Sequence, residues 1–242
     1  MANDIKNKLV VKCSTREELE NFLEKIKGDN EYNGRIQDLD FNRIIQMPIE
    51  LATTSESTTT SEGIYYYLVK TNQNELLPKL IWYPQSYSMD IFADKTEEEL
   101  KEYFEIGEKC CNNYFKYGYA TWYSWAIDNW GSKWNCYDTW IDECSDTELT
   151  MYFETANSGV PNIVFLLSKM FPTFSFEYKF ADEDLAYNCG KGYTNDEGEF
   201  IFNRLKGGSD EAFECYCECW QESAEDYIKT ENGWQYNWED DD

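Results

Sequence analysis

The sequence predicts an α+β fold in which an antiparallel or mixed sheet is covered by helices. Of the 242 residues, 42% are hydrophobic and 17% aromatic, enough for a substantial core. Segments typical of strands and helices follow one another in the order β, α, β near the N-terminus and β, β, α, β, β, β towards the C-terminus. This order suits helices that cover one face of a sheet, and ferredoxin-like packing is the architecture it favours first.

The N-terminal segments give a strand at 8–13 and a helix that Ser14 begins. Glu17 stands three residues after Ser14, at the spacing of a capping box. The apolar stripe of this helix consists of Leu19, Phe22, Leu23 and Ile26. Residues 39–47 are apolar enough for a second strand. The Ser/Thr/Glu-rich residues 52–63 show no periodicity and predict an exposed loop, and residues 64–92 give no clear pattern.

The rest of the chain alternates between helices and strands. Helices are predicted at 96–111, 121–130 and 160–171, and strands at 133–137, 148–154, 173–180, 185–193 and 199–205. A final acidic helix spans 209–227, with Ser209 or Asp210 as its cap. We expect three parts: an N-terminal α+β part at 1–116, a ferredoxin-like part at 117–206, and the acidic helix and tail at 207–242.

Negative charge dominates the composition and is concentrated towards the C-terminus. The chain has 47 acidic and 21 basic residues, a net charge of −26. Residues 1–35 hold seven acids and seven bases, whereas residues 141–242 hold 24 acids and six bases, a net of −18. Such a field repels nucleic acid and anionic lipid and attracts basic surfaces. We therefore expect no direct nucleic-acid or membrane binding. Two explanations stay open, a binding role for the charge and a role in solubility alone.

The cysteines and the N-terminus indicate a protein of the cytosol. Nine cysteines, an odd number, stand at spacings that do not match a small disulfide scaffold, and free thiols suit a reducing compartment. The first eight residues are polar, so no signal peptide is visible, and no apolar run is long enough to span a membrane. We expect a location in the cytoplasm of a host cell.

A tryptophan-rich segment at 117–138 is the most distinctive stretch. It contains the runs WYSW and WGSKWN, and it is followed by FETA at 153–156, an apolar helix, Phe171-Pro172 and the aromatic FSF at 174–176. This succession resembles the Api92-like family of phage and plasmid proteins, over about residues 5–205. The resemblance implies a ferredoxin-like C-terminal domain and a mobile-element origin. It implies no catalytic residues, and the acidic extension from Ser209 onward is expected to lie outside it.

The four tryptophans of this segment have two interpretations. They are core residues of a short helix and the strand after it, or they form a platform on which a small molecule or nucleotide stacks. We favour the core, and we expect Lys133 to lie over a neighbouring indole ring. The aromatic cluster consists of Trp122, Trp125, Trp130 and Trp134.

Catalytic and metal sites find little support in the sequence. Histidine is absent, which excludes Ser–His–Asp, Cys–His and zinc-bound histidine chemistry. The series Cys215, Cys217 and Cys219 lacks the spacing of a zinc knuckle and predicts buried thiols. A mechanism with two carboxylates is open in principle, but no carboxylate stands out in an apolar setting. We predict no catalytic residues, no metal and no cofactor.

The acidic C-terminal helix is the strongest functional candidate. Its carboxylates repeat at spacings close to i, i+4, which places them on one side of a helix, where they can imitate a phosphate backbone. A solvated helix face explains the same pattern. The candidate partner-binding residues are Asp210, Glu211, Glu214, Glu218, Glu222, Glu225 and Asp226.

These features lead to one functional hypothesis and two alternatives. We expect a non-enzymatic anti-defence inhibitor, of the anti-CRISPR or anti-restriction type, that binds the basic nucleic-acid groove of a host nuclease. One alternative is a small-molecule or nucleotide-binding module that uses the tryptophans. The other is an enzyme with paired carboxylates.

Overall fold

The computed structural model describes residues 2–29, 31–32, 34–231 and 233–237. Helices in this part are α1 (Arg16–Ile26), α2 (Ile49–Ala52), α3 (Thr58–Lys70), α4 (Leu77–Leu80), α5 (Glu97–Tyr117), α6 (Trp122–Asn129), α7 (Pro161–Met170) and α8 (Asp210–Trp220). Strands are β1 (Asp4–Lys12), β2 (Glu31–Tyr32), β3 (Arg35–Ile36), β4 (Tyr137–Cys144), β5 (Glu148–Ala156), β6 (Ser175–Asp182), β7 (Gly190–Thr194), β8 (Phe200–Arg204), β9 (Tyr227–Thr230) and β10 (Gly233–Tyr236).

The chain forms two compact units. One combines Met1–Gln46 with Ala126–Asp242, and the other is Met47–Trp125. The first residues therefore belong with the C-terminal sheet, because β1 pairs with β5 and β6. These units divide the chain differently from the three consecutive parts expected from the sequence. The acidic tail predicted at the very end, residues 238–242, lies outside the described residues.

A six-stranded antiparallel sheet organises the first unit. Its strand order is β4-β5-β1-β6-β7-β8. The elements β1, α1, β4, β5, α7 and β6 follow the βαββαβ order of a ferredoxin-like fold, and β7 and β8 extend the sheet beyond β6. The prediction of an α+β, ferredoxin-like sheet covered by helices is confirmed.

One face of the sheet holds the main core. Strand β1 alternates buried and half-buried residues, so Leu9 and Val11 point to one face and the lysines to the other. On the core face, Phe22 of α1 packs against Phe176 of β6, with ring centroids 6.2 Å apart. The hydroxyl of buried Tyr178 accepts a hydrogen bond from the N–H of Val160, at the start of α7. Helices α1 and α7 thus cover this face.

The opposite face of the sheet is covered in part by α8, which packs on β1, β6 and β7. Lys8 of β1 and Lys179 of β6 are register partners on this face. Both reach Glu218 of α8. The acidic helix is therefore part of the fold, and ion pairs with two lysines of the sheet help to hold it there.

The second unit is built around α3 and α5, which pack closely on each other. Gly63 and Gly107 stand where the two backbones approach: a Cβ on Gly107 would lie 2.1 Å from the carbonyl oxygen of Gly63. Helix α5 begins with a capping box, in which Thr96 and Glu99 satisfy each other's backbone N–H groups. The predicted helix at 96–111 is thus confirmed and continues to Tyr117.

Two predictions about the N-terminal half were wrong. Residues 39–47 are not a strand, because the carboxylate of Asp40 accepts a hydrogen bond from the N–H of Asn42 and starts a 3₁₀ turn at Phe41–Arg43. The Ser/Thr-rich residues 52–63 are not all loop: α3 begins at Thr58, capped by Ser57.

Three boundaries also differ from the sequence predictions. The first helix is capped by Thr15, with Glu18 completing the capping box, one residue later than predicted. The strand predicted at 133–137 begins only at Tyr137. The strand predicted at 185–193 begins at Gly190, because Ala186 and Asn188 have positive φ angles, which extended strands do not adopt.

Candidate functional site

Helix α8 carries part of the candidate carboxylates. The hydroxyl of Ser209 caps the helix by accepting a hydrogen bond from the N–H of Ala212, and Gln221, with φ of +56°, ends it. The helix therefore stops at Trp220 and not at Tyr227. The predicted single row of seven acids on one helix was wrong, because the last three acids lie beyond the helix end: Glu222, Glu225 and Asp226.

Glu218 forms ion pairs with other residues of the same chain. Its carboxylate lies 2.5 Å from the ammonium of Lys179 and 3.4 Å from that of Lys8. Burial works to raise the pKa of this carboxyl, but the hydrogen bonds and charges of the two lysines lower the pKa below its ordinary value. Glu218 therefore stabilises the packing of α8 on the sheet.

Two further acids of α8 are also paired. Glu211 forms an ion pair with Lys191 of β7, and Asp210 forms one with Lys229 of β9. The hydrogen bond that the ammonium of Lys191 donates to Glu211 raises the pKa of Lys191. These exposed pairs contribute little to stability individually. They do neutralise part of the charge that the sequence places on this helix.

Four candidate acids keep their charge open to solvent. They are exposed, and the described part of the chain places no lysine or arginine within ion-pair distance of their carboxylates: Glu214, Glu222, Glu225 and Asp226. The hydroxyl of Tyr227 donates a hydrogen bond to the carboxylate of Glu222. Burial and this hydrogen bond raise the pKa of Tyr227, so its hydroxyl stays protonated. Glu214 lies within α8 and the other three lie just after its C-terminal end, and we call these four the open acids around the end of α8.

The four tryptophans do not share one exposed surface. Trp125 and Trp130 are buried, and the indole N–H of Trp130 donates to the carbonyl of Ile45. Trp122 is half-buried, and Trp134 is exposed. Lys133 lies 4.5 Å from the ring centre of Trp134, which confirms the predicted cation–π contact.

A cluster of charged and aromatic side chains on the α8 side of the sheet escaped the sequence analysis. The ammonium of Lys6 lies 4.9 Å from the ring centre of Trp220, 5.6 Å from that of Trp140 and 3.6 Å from the carboxylate of Glu154. Burial raises the pKa of Glu154, although Lys6 opposes this. The signal was available, because the three lysines of β1 all stand at alternate positions that share one face: Lys6, Lys8 and Lys12.

The cysteine series of α8 faces inward, as predicted. Cys215, Cys217 and Cys219 are all buried and unbridged. Burial raises the pKa of Cys217 to about 11, which keeps this thiol protonated at neutral pH. The three thiols act as small core residues of the cluster that joins α8 to the sheet.

The described ranges contain neither a group of side chains placed to hold a metal ion nor a helix suited to cross a membrane. No group of three or more Cys, Asp or Glu side chains in residues 2–29, 31–32, 34–231 and 233–237 is arranged to hold a metal ion. Over the same ranges, no helix combines the length and the apolar character needed to cross a membrane.

Comparison with known proteins gives one family and one structure. Residues 133–229 match the family model described as the ferredoxin-like domain in Api92-like protein. The crystal structure of a protein api92 from Yersinia pseudotuberculosis is similar over 86% of this chain and 100% of that chain, with 11% sequence identity and a TM-score of 0.39. No curated protein matches. Neither description names a reaction.

The family match corrects the expected extent of the resemblance. It runs from residue 133 to residue 229, so α8 and the first three residues of β9 lie inside the matched domain. The expectation that the acidic segment from Ser209 lies outside was wrong for residues 209–229, and the physical reason is that α8 covers one face of the sheet. Over residues 133–229, the chain is therefore similar to the ferredoxin-like domain of Api92-like proteins, which supports the resemblance to that family.

Proposed function

We propose that the chain binds a basic surface of another macromolecule through the open carboxylates around the end of α8. The supporting observation is that Glu214, Glu222, Glu225 and Asp226 are exposed and form no ion pair within the described part of the chain. Paired acids such as Glu218 already have their cations and are poor candidates for a partner. Open carboxylates attract lysine and arginine side chains and speed up association with a positively charged surface.

The partner class that we propose is a nucleic-acid-binding nuclease of the host cytosol. Its groove is basic because it holds a phosphate backbone, and carboxylates on a folded domain compete for the same side chains. The mobile-element origin implied by the Api92-like resemblance makes a defence nuclease, of the CRISPR or restriction type, the specific target. On this proposal the protein is a non-enzymatic inhibitor encoded by a phage or plasmid.

The test removes the open charge and leaves the fold in place. In the variant Glu214→Gln, Glu222→Gln, Glu225→Gln, Asp226→Asn, no described ion pair is broken. The tagged protein is incubated with bacterial lysate in 0.1 M and in 0.5 M NaCl, and the retained proteins are quantified by mass spectrometry. We expect a basic nucleic-acid-binding protein that is retained by the natural chain in low salt, and lost in high salt and with the variant.

A matched control removes four exposed charges from α5 instead, through Glu97→Gln, Glu98→Gln, Glu102→Gln and Glu108→Gln. The natural chain and this control are expected to retain the same protein. Double-stranded DNA added to the purified pair is expected to compete. Equal losses with both variants would mean that net charge alone matters, and retention that survives both variants and high salt would refute the proposal.

A further inference from the structure

The two edge strands of the six-stranded sheet, β4 and β8, differ in how far their outward backbone groups are available for pairing. At the β4 edge, the N–H of Asp38 donates to the hydroxyl of Thr139, 2.7 Å away, and the N–H of Thr139 donates to the side chain of Gln37, 3.1 Å away. The pairing of β4 with β5 also contains two register shifts. Covered and irregular edges resist pairing with another chain. The edge at β4 is therefore covered at Thr139 and irregular along its length.

The edge at β8 presents regular backbone. The N–H of Leu205 donates to the carbonyl of Cys189, and the N–H of Asn195 donates to that of Glu199. Because hydrogen-bonded pairs alternate along an antiparallel ladder, Ile201 and Asn203 bond inward to β7. The backbone N–H and C=O groups of the remaining three residues point outward: Phe200, Phe202 and Arg204. Within residues 34–231, β8 pairs with β7 alone.

Charge is divided along this edge. Three exposed acids stand at its N-terminal end: Asp196, Glu197 and Glu199. Two exposed bases stand at its C-terminal end: Arg204 and Lys206. Residues 196–206 thus have a net charge of −1, whereas the net charge of the whole chain is −26. A strand that is acidic at one end and basic at the other is complementary to an antiparallel copy of itself.

We propose that a second copy of the chain pairs with β8, antiparallel, and joins two six-stranded sheets into one. The register that pairs all three outward residues places Phe202 opposite Phe202 of the second copy and Phe200 opposite Arg204. Beyond the paired strands, this register brings Lys206 of one copy towards the turn before β8 of the other, which carries Asp196, Glu197 and Glu199. The pairing adds backbone hydrogen bonds at an open edge, and it brings together the segment where the repulsion between two acidic chains is weakest.

The first test measures self-association of the full chain by sedimentation equilibrium, in 0.15 M NaCl, over a wide range of concentration. We expect a reversible dimer. Lys206 is exposed and forms no described side-chain hydrogen bond or ion pair. Lys206→Glu is therefore expected to keep the fold and weaken the dimer about fivefold or more, because it brings an acid close to the acids of the facing turn. The double variant Glu199→Lys, Lys206→Glu exchanges the two signs and is expected to restore most of the dimer.

The second test reads the register through amide hydrogen exchange. The amides of residues 200, 202 and 204 are expected to exchange quickly in dilute protein and slowly in concentrated protein, whereas those of 201 and 203 are protected in both. A synthetic peptide of residues 197–206 is expected to compete with the dimer, and an oligolysine peptide is not. A monomer at all concentrations, or a dimer that ignores Lys206→Glu and leaves the outward amides unprotected, overturns the proposal. Protection of these amides by oligolysine alone would indicate a basic partner segment and overturn it too.

Discussion

Glu218 shows how one carboxylate of an acidic helix becomes a structural residue. It lies on α8 between Lys8 and Lys179, two lysines that are opposite each other on neighbouring strands. The side chain is 42% exposed, so solvent screens the attraction, but two cations share one acid. The sequence marked Glu218 as a partner-binding candidate because spacing along a helix identifies a row of acids. Spacing cannot say which acids meet lysines from strands more than 30 residues away.

The pairing of Glu218 predicts a specific dependence of stability on pH. The pKa of this carboxyl is lower in the folded protein than in the unfolded chain, where it is about 4.3. Its stabilising contribution is therefore fully present above about pH 4.3 and is lost as the pH falls through the folded pKa. We expect Glu218→Gln to lower the melting temperature at pH 7, and to lower it less at pH 3.5, as measured by circular dichroism.

The control for this prediction is Glu214→Gln, on the same helix. Glu214 is exposed and has no described ion pair, so its variant is expected to follow the natural protein at both pH values. If the two variants have the same pH profile, the ion pairs of Glu218 do not stabilise α8.

At the scale of elements, the sequence predicted a helix correctly where a capping residue is followed by apolar residues at helical spacing. The helix at α5 was predicted from Thr96 and the acids of its first turn, and the helix at α7 from its apolar run before Pro172. The prediction failed for α3, whose first turns carry Ser and Thr and no apolar period. Those residues are helical because Gly63 and buried Thr60 fit against the rest of the second unit, a tertiary effect that no window of sequence contains.

The contact between α3 and α5 leads to a prediction about Gly107. In an exposed helix, Gly→Ala is expected to stabilise by about 1 kcal/mol. Here the added Cβ would lie 2.1 Å from the carbonyl oxygen of Gly63 and 2.4 Å from the Cβ of Tyr67, so the two helices must move apart. We expect Gly107→Ala to destabilise the protein by about 2–3 kcal/mol, seen as a lower midpoint of urea unfolding.

The neighbouring residue supplies the control. Glu108→Ala replaces an exposed side chain on the same turn of α5, and we expect a change within about 0.5 kcal/mol. An increase in stability for Gly107→Ala would show that the helices are not in close contact at this point.

At the scale of the whole molecule, the order of elements was enough to predict the ferredoxin-like sheet. What the order could not show is that β1 and α1 are separated from β4 by the unit Met47–Trp125, because an insertion leaves the local pattern of each strand unchanged. The candidate site was predicted in part. Composition located the excess of acids near the C-terminus, but the structure divides them into paired acids such as Glu211 and open ones such as Glu225.

The net charge of −26 predicts that salt stabilises the fold while it weakens partner binding. Like charges on one molecule repel each other, and the folded state holds them closer together than the unfolded chain does. Screening shortens the range of this repulsion from about 30 Å at 0.01 M salt to about 8 Å at 0.15 M.

We expect the melting temperature to rise by about 2–5 °C between 0.02 M and 0.3 M NaCl. In the variant that neutralises Glu214, Glu222, Glu225 and Asp226, the rise is expected to be smaller, because the open acids around the end of α8 contribute to the repulsion. A melting temperature that falls with salt, or an equal rise in the variant, would mean that the charges of this surface are already balanced within the fold, and it would remove the reason to look for a basic partner there.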